Sequence, residues 1–187
     1  MSVVVRPAQP DDFDAWFAIH EAVAGEGRWI GAELPLDKED YRVRFAGNFD
    51  ADNVQLFVAE VRPAPAPADS PEPARMVGSL RMHVPPYRVA ELGMAVADGW
   101  RGKGVGSALM AEAVAWAEAK GAHKITLQLW PHNTAARALY EKFGFEVEGR
   151  LRRHWPRKNG ELWDALIMGL LLEPPLPRTR LEDIAAP

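Results

Sequence analysis

Hydrophobic and polar positions along the chain recur with two different periods. Short β-branched or alternating runs predict strands at Ser2–Arg6, Asn53–Val61, Met76–Val84, Val89–Val96, Lys124–Trp130, Phe145–Leu151 and Leu162–Leu172. Helical spacing appears first after Pro7, where Asp11 and Asp12 are placed to open a helix. Phe13, Trp16, Phe17, Val23 and Ala24 share one face of it, with Ile19 at the border, and Gly25 and Gly27 end it. His20 interrupts that apolar face and reads as a partly buried, hydrogen-bonded histidine rather than a functional one. A weaker helix spans Asp37–Phe45. A third spans Gly104–Lys120, with Val105, Leu109, Ala113 and Trp116 as its core stripe and Gly121 as its cap. A fourth runs from Thr134 to Phe143 and stops at Gly144.

The resulting order, β-α-α-β-β-β-α-β-α-β-β, is α+β or mixed α/β in class. Strand runs flank a strand–loop–helix–strand unit, which predicts a mixed, mostly antiparallel sheet of about seven strands with about four helices. The Pro/Ala-rich stretch at 62–75 cannot form a ladder and reads as a long hairpin loop inside one domain, 1–172. A proline-rich tail follows at 173–187.

Composition narrows the function classes. The chain has 187 residues, 48% hydrophobic and 26% charged, which suits a globular domain with a full core. A net charge of −4 argues against a general nucleic-acid binder. No apolar run approaches the roughly 20 residues that cross a bilayer, and the first residues lack a signal-peptide pattern, so the expected location is the cytoplasm. The absence of cysteine excludes disulfides, thiolate zinc sites and cysteine nucleophiles. His20, His83, His123, His132 and His154 form no metal-binding spacing, so no metal is expected.

The chemistry concentrates where the strand Val89–Val96 runs into a glycine-rich turn, Asp98-Gly99-Trp100-Arg101-Gly102-Lys103-Gly104-Val105-Gly106-Ser107. Glycines at alternate positions leave backbone N–H groups unshielded at the start of a helix, whose dipole favours anions. Arg101 and Lys103 add positive charge there. Phosphate or pyrophosphate is the ligand such a turn suits, although a strand-to-helix turn without ligand has the same look. A Walker loop is absent, and a dinucleotide fingerprint would require GxGxxG with an acid at the end of the next strand, which ends in Gln128-Leu129-Trp130.

Arg101-x-x-Gly104-x-Gly106 resembles the acetyl-CoA loop of the GNAT superfamily of N-acetyltransferases. Downstream, Asn133-x-x-Ala136-x-x-Leu139-Tyr140-x-x-x-Gly144-Phe145 is similar to a second signature of that family, in the right order and at the right separation. The likeness covers Val89–Leu172 well, the first helix only by pattern, and Gly27–Phe49 barely. It implies that the strand before the loop splays from its neighbour and binds pantetheine along Met94, Ala95 and Val96. An amide near Met94 would polarise the thioester carbonyl. Arg101, Gly102, Lys103, Gly104, Val105, Gly106 and Ser107 would hold the pyrophosphate, Asn133 would bind near the pantetheine arm, and Tyr140 would protonate the leaving thiolate. For Tyr140 a second reading stays open, in which its ring simply packs on the sheet.

Amino-terminal protein acetyltransferases of this family often place a glutamate, to take the amine's proton, where this chain has Gln128, which cannot serve in that way. Glu91 is the substitute candidate, against a plain solvent-facing strand acid, and His83 is a weaker one. Trp29 and Glu33 lie in the helix–helix loop that walls the acceptor pocket in this family. Arg150, Arg152, Arg153, His154, Arg157 and Lys158 form a basic cluster, read either as a solvated hairpin or as an anion clamp. The 148–164 stretch resembles the bacterial branch with amino-acid and ribosomal-protein N-acetyltransferases. The resemblance therefore implies transfer of an acetyl group from acetyl-CoA to a primary amine of a small molecule such as an amino acid, by direct attack in a ternary complex. Its rivals are a protein N-terminal or ribosomal-protein acetyltransferase and a non-catalytic acyl-CoA-binding module. A homodimer is compatible with the family, while the acceptor itself is not legible.

Overall fold

The computed structural model describes residues 2–62 and 74–172. The proposed 62–75 hairpin loop and the 173–187 tail thus fall almost entirely outside the described residues. The elements follow the predicted order: β1 (Ser2–Pro7), α1 (Phe13–Gly25), α2 (Lys38–Ala46), β2 (Val54–Arg62), β3 (Arg75–His83), β4 (Val89–Val96), α3 (Val105–Ala119), β5 (Lys124–Leu129), α4 (Thr134–Lys142), β6 (Glu146–Pro156) and β7 (Leu162–Leu171).

All seven strands form one sheet in the order β1-β2-β3-β4-β5-β7-β6. Every neighbouring pair is antiparallel except β4–β5, which is parallel, so the sheet is mixed and mostly antiparallel, an α+β architecture. The parallel pair follows from connectivity. β4 and β5 are joined through α3, and a crossover helix returns the chain to run in the same direction.

Alternation decides which side chains meet which helices. Phe57, Ala59 and Val61 of β2 with Val77, Leu80 and Met82 of β3 join the cluster that packs on α3, through Val105, Leu109, Met110, Ala113 and Ala117. Leu56 and Val58, one residue out of phase with Phe57 and Ala59, face the other way and meet Phe13, Trp16 and Phe17 of α1 and Phe45 of α2. Leu109 is fully buried, and truncating such a leucine costs about 2–5 kcal/mol.

Local signals set the helix ends. Asp37 Oδ1 accepts from the N–H groups of Glu39 and Asp40 and caps α2. Before α1, Pro10–Asp12 forms one 3-10 turn rather than the expected first α-helical turn. Asp12 is occupied there by Arg6 Nη1, 2.7 Å away, and by the N–H of Gln9. The other departure is β6, which continues five residues past the predicted Leu151 to Pro156. As an edge strand with almost no buried face it shows no hydrophobic alternation, so its length is invisible to periodicity. It bulges between Leu151 and Trp155, with Arg153 at φ +52° and its N–H donating to Asp164 Oδ1 at 2.6 Å.

Candidate active site

β4 and β5 pair only at Val89–Lys124, Ala90–Ile125 and Glu91–Thr126. Beyond Glu91 they separate, although β4 remains paired to β3 through Val96 and β5 to β7 through Leu129. The middle of the sheet therefore opens into a wedge whose inner edges carry main-chain donors and acceptors without a strand partner. Buried backbone groups of this kind call for a partner. A cavity of about 800 Å³ occupies the wedge, and its lining takes in Leu92–Val96 on one edge and Gln128–Trp130 on the other.

At the wide end of the wedge lies the glycine turn. Gly102 and Gly104 adopt φ +71° and +85°, and a Cβ on either would meet no atom within 4 Å, so the turn presents bare backbone to open space. α3 begins there, and its first N–H groups, those of Val105, Gly106 and Ser107, have no intrahelical acceptor. Gly106 has a different task. A Cβ there would stand 2.8 Å from Leu139 Cδ2, so the missing side chain lets α3 approach α4. Val105 itself points into the core and is fully buried.

α4 supplies the next wall. Asn133 Oδ1 accepts from the Ala136 N–H at 3.2 Å, so this residue caps the helix as well as lining the cavity. Tyr140 lies two turns further on, packs against Phe145 and also lines the cavity. Burial pushes its phenol up to about 12.

The opposite side of the wedge is assembled from many elements. Trp16, His20 and Val23 of α1, Trp29–Ala32 of the following loop, Leu56, Ser79 and Arg81 of the sheet, and Trp130 and Trp155 all line the same cavity. Arg81 sits opposite Gly93 of β4, and its Nε donates to Asn48 Oδ1 at 2.7 Å. Among the described residues both of its Nη groups lack a hydrogen-bond acceptor. Two indole N–H groups of this wall, from Trp16 and Trp130, are buried with no partner among the described residues.

Several expected residues take other positions. Arg101 turns away from the glycine turn's open face: Nε donates to Val96 O at 3.1 Å, while Nη1 and Nη2 grip Glu26 at 2.7 and 2.5 Å. Trp29 Nε1 donates to the same carboxylate, and the Arg101 guanidinium lies 5.4 Å from the Trp29 ring centroid. The guanidinium holds Glu26 below the ordinary carboxylate range. Lys103 Nζ lies 5.2 Å from the Trp100 ring centroid. Glu91 accepts from the Tyr87 hydroxyl at 3.2 Å and stands opposite His83; neither belongs to the cavity lining among the described residues. Gln128 does line it, with Oε1 accepting from Trp155 Nε1 at 3.0 Å.

Glu33 also lies outside the lining, because the basic cluster claims it. Arg157 Nε is 3.2 Å from Glu33 Oε1, and the Lys158 N–H donates to the same carboxylate. The Arg157 side chain is only 3% exposed, stacks 4.5 Å from the Trp163 ring centroid and donates to Gly31 O and Gly27 O. Arg150 instead pairs with Asp164 across the hairpin. The six basic residues are thus not one anion clamp: Arg157 and Lys158 fasten the 27–34 loop. Trp16 and Trp130 are buried, Trp155 is exposed, and all three line the cavity together with Trp29. The residues missed from sequence, Arg81 above all, carried one signal: a single arginine inside the mostly apolar strand run Met76–Val84, which has no other Lys or Arg.

Comparison with known proteins fits this geometry. Residues 28–145 match the Acetyltransferase (GNAT) family. The chain is 37% identical over 171 residues to the L-amino acid N-acetyltransferase AaaT of Escherichia coli K12, covering 89% of this chain and 96% of that protein. The ribosomal-protein-alanine N-acetyltransferase of Brucella melitensis is 26% identical, with a TM-score of 0.74 over 90% of this chain and 99% of that one. A GNAT superfamily phosphinothricin acetyltransferase of Sinorhizobium meliloti, solved in complex with AcCoA, shares the fold at 21% identity, with a TM-score of 0.76 over 92% and 89% of the two chains. Among the described residues no helix is long and apolar enough to cross a membrane.

Proposed function

The chain belongs to the GNAT acetyltransferase family, and on that premise we propose that it moves the acetyl group of acetyl-CoA to the primary amine of a small, carboxylate-bearing acceptor such as an amino acid. The observation that carries the donor half of this reading is the wedge between β4 and β5 ending at the open glycine turn. The chain's own groups fit the donor: a linear arm with amide groups suits the unpaired edge of Leu92–Val96, and a pyrophosphate suits the bare amides of Gly102–Ser107. Bound there, acetyl-CoA would supply an acyl thioester ready for attack by an amine.

The residues then divide the work. A main-chain N–H near Met94 would hydrogen-bond the thioester oxygen where negative charge develops. Tyr140, with its phenol near 12, keeps its proton throughout the neutral range and so always stands as a donor toward the departing sulfur. A thiol titrates near about 8.5, well below this phenol, so the contribution of Tyr140 is a hydrogen bond to the thiolate. Arg81 supports an acceptor with a carboxylate, since its two unengaged Nη groups match that group's geometry.

The direct test is thiol release from acetyl-CoA with a panel of amines: free amino acids, the same compounds without their carboxylate, and short peptides. Turnover restricted to amino acids is the expected outcome. Turnover with peptides alone would transfer the assignment to protein amines. Tight acetyl-CoA binding without turnover on any amine would leave a non-catalytic acyl-CoA-binding module.

A further inference from the structure

An amine can attack a thioester only if it sheds a proton, and the glutamate and glutamine positions read from sequence do not provide for this. Gln128 is no base and is held by Trp155, while Glu91 is engaged by Tyr87 away from the cavity lining. No aspartate or glutamate is found in the lining among the described residues. The ionisable groups there are His20, Arg81, Arg101, Tyr140 and Lys142. A guanidinium and an ammonium carry donors and no acceptor, and the phenol of Tyr140 keeps its proton.

We propose that His20 is the proton acceptor of the reaction, taking the amine proton on Nε2. The tautomer follows from one contact. His20 Nδ1 lies 2.9 Å from Trp16 O, and a carbonyl oxygen only accepts, so Nδ1 carries the hydrogen and Nε2 the lone pair. The ring is fixed by packing on Trp16 at 4.2 Å between centroids, with Tyr41 of α2 at 6.3 Å. His20 sits between Trp16 and Val23 on the single stripe of α1 that faces the cavity. Tyr41 of α2 is the titratable side chain whose ring packs near it, and Arg81 of β3 lines the same cavity; β4 and the 29–32 segment contribute no charged or titratable group to the lining. Burial depresses the imidazole below its usual value, which keeps Nε2 unprotonated at neutral pH.

The step balances as follows. The amine lone pair forms a C–N bond at the thioester carbon, the amine proton passes to Nε2, and the C–S bond breaks with its electron pair leaving on sulfur beside Tyr140. Products are the amide, the CoA thiolate and a His20 imidazolium that returns its proton to solvent.

This inference rests on the acetyltransferase reading, and the test separates the two. Wild-type turnover is measured first; its absence for every amine overturns both. With turnover in hand, His20→Gln is expected to lower kcat by about 100-fold or more while leaving the acetyl-CoA Kd within about two-fold, as expected for loss of an acid–base group. In His20→Ala, added imidazole should restore rate. The wild-type pH profile needs no variant: amine protonation alone gives log(kcat/KM) a slope of one on the acid side, and His20 should steepen it toward two at a pH below the usual imidazole range. His20→Gln activity within three-fold of wild type, or no recovery of His20→Ala activity with added imidazole, would overturn the role of His20 alone.

Discussion

On the α3/α4 side of the sheet the cavity is walled largely by main chain, namely the unpaired edge of β4, the turn at Gly102–Gly104 and the first N–H groups of α3, with Asn133 and Tyr140 of α4 beside it. On the α1/α2 side it is walled by side chains drawn from α1, the 27–34 loop, β2, β3 and the β6–β7 hairpin. Main chain can recognise a ligand part common to every reaction cycle, and short contiguous motifs suffice to build it. Side chains from many elements can be exchanged singly, which is how one fold accommodates different acceptors. The two sides are nonetheless tied. Arg101, from the turn, is spent on Glu26 and Trp29 at the start of the acceptor loop rather than on the glycine turn's open face.

Substitutions can break this division or sharpen it. The largest effect is expected from Gly104→Val, which puts a β-branched residue at φ +85° and fills the open face of the turn. Acetyl-CoA binding, followed by titration, should weaken by two to three powers of ten, roughly the loss of two charge-assisted hydrogen bonds. Unaltered binding would remove the phosphate role of the turn. Tyr140→Phe, which removes one donor to the developing thiolate charge, should lower kcat by roughly 100–1000-fold with little change in acetyl-CoA affinity. An unchanged rate would return Tyr140 to mere packing.

Arg157→Met keeps the stem on Trp163 but frees Glu33 and the carbonyls of Gly27 and Gly31. A loss of about 2–3 kcal/mol in urea unfolding is expected, below the usual figure for a fully buried pair because Glu33 is partly solvated. Acceptor KM should rise more than acetyl-CoA Kd, and the reverse order would contradict the two-sided description. Arg81→Gln should raise KM about 10–100-fold for amino acids and hardly at all for amines without a carboxylate, as the loss of a charge-assisted hydrogen bond requires.

The smallest effect concerns pH. His20 titrates lower when folded than the usual 6.5, so below that pH the unfolded chain binds more protons and stability falls as pH falls. Urea midpoints should decline between pH 7 and 5.5, and His20→Gln should flatten that decline.

Much of the donor side was legible in the chain because its parts are local. A strand, a glycine turn with positive φ and a helix start occupy one stretch, Val89 to Ser107, and Asn133 caps its own helix three residues away. Neighbouring residues cannot avoid each other, so spacing is enough. The same logic gave the strand and helix order, since burial of one face prints its period on the sequence. It failed at β6, an exposed edge strand that buries no face to print.

Contacts between distant residues were set by the tertiary structure alone. Arg101 meets Glu26 across 75 positions, and Arg157 meets Gly27 across 130. A basic run and a strand acid look the same in sequence whether they face solvent, a loop or a ligand, because charge has no periodicity to betray its partner. The split of β4 from β5 belongs to the same class: each strand reads as an ordinary strand, and only their divergence after Glu91 makes a cavity. His20 shows the difference most plainly. Its place on an apolar helix face was evident from spacing, but that face looks partly into the core and partly into the wedge, and only the packing of α1 over the sheet decides which residue looks where.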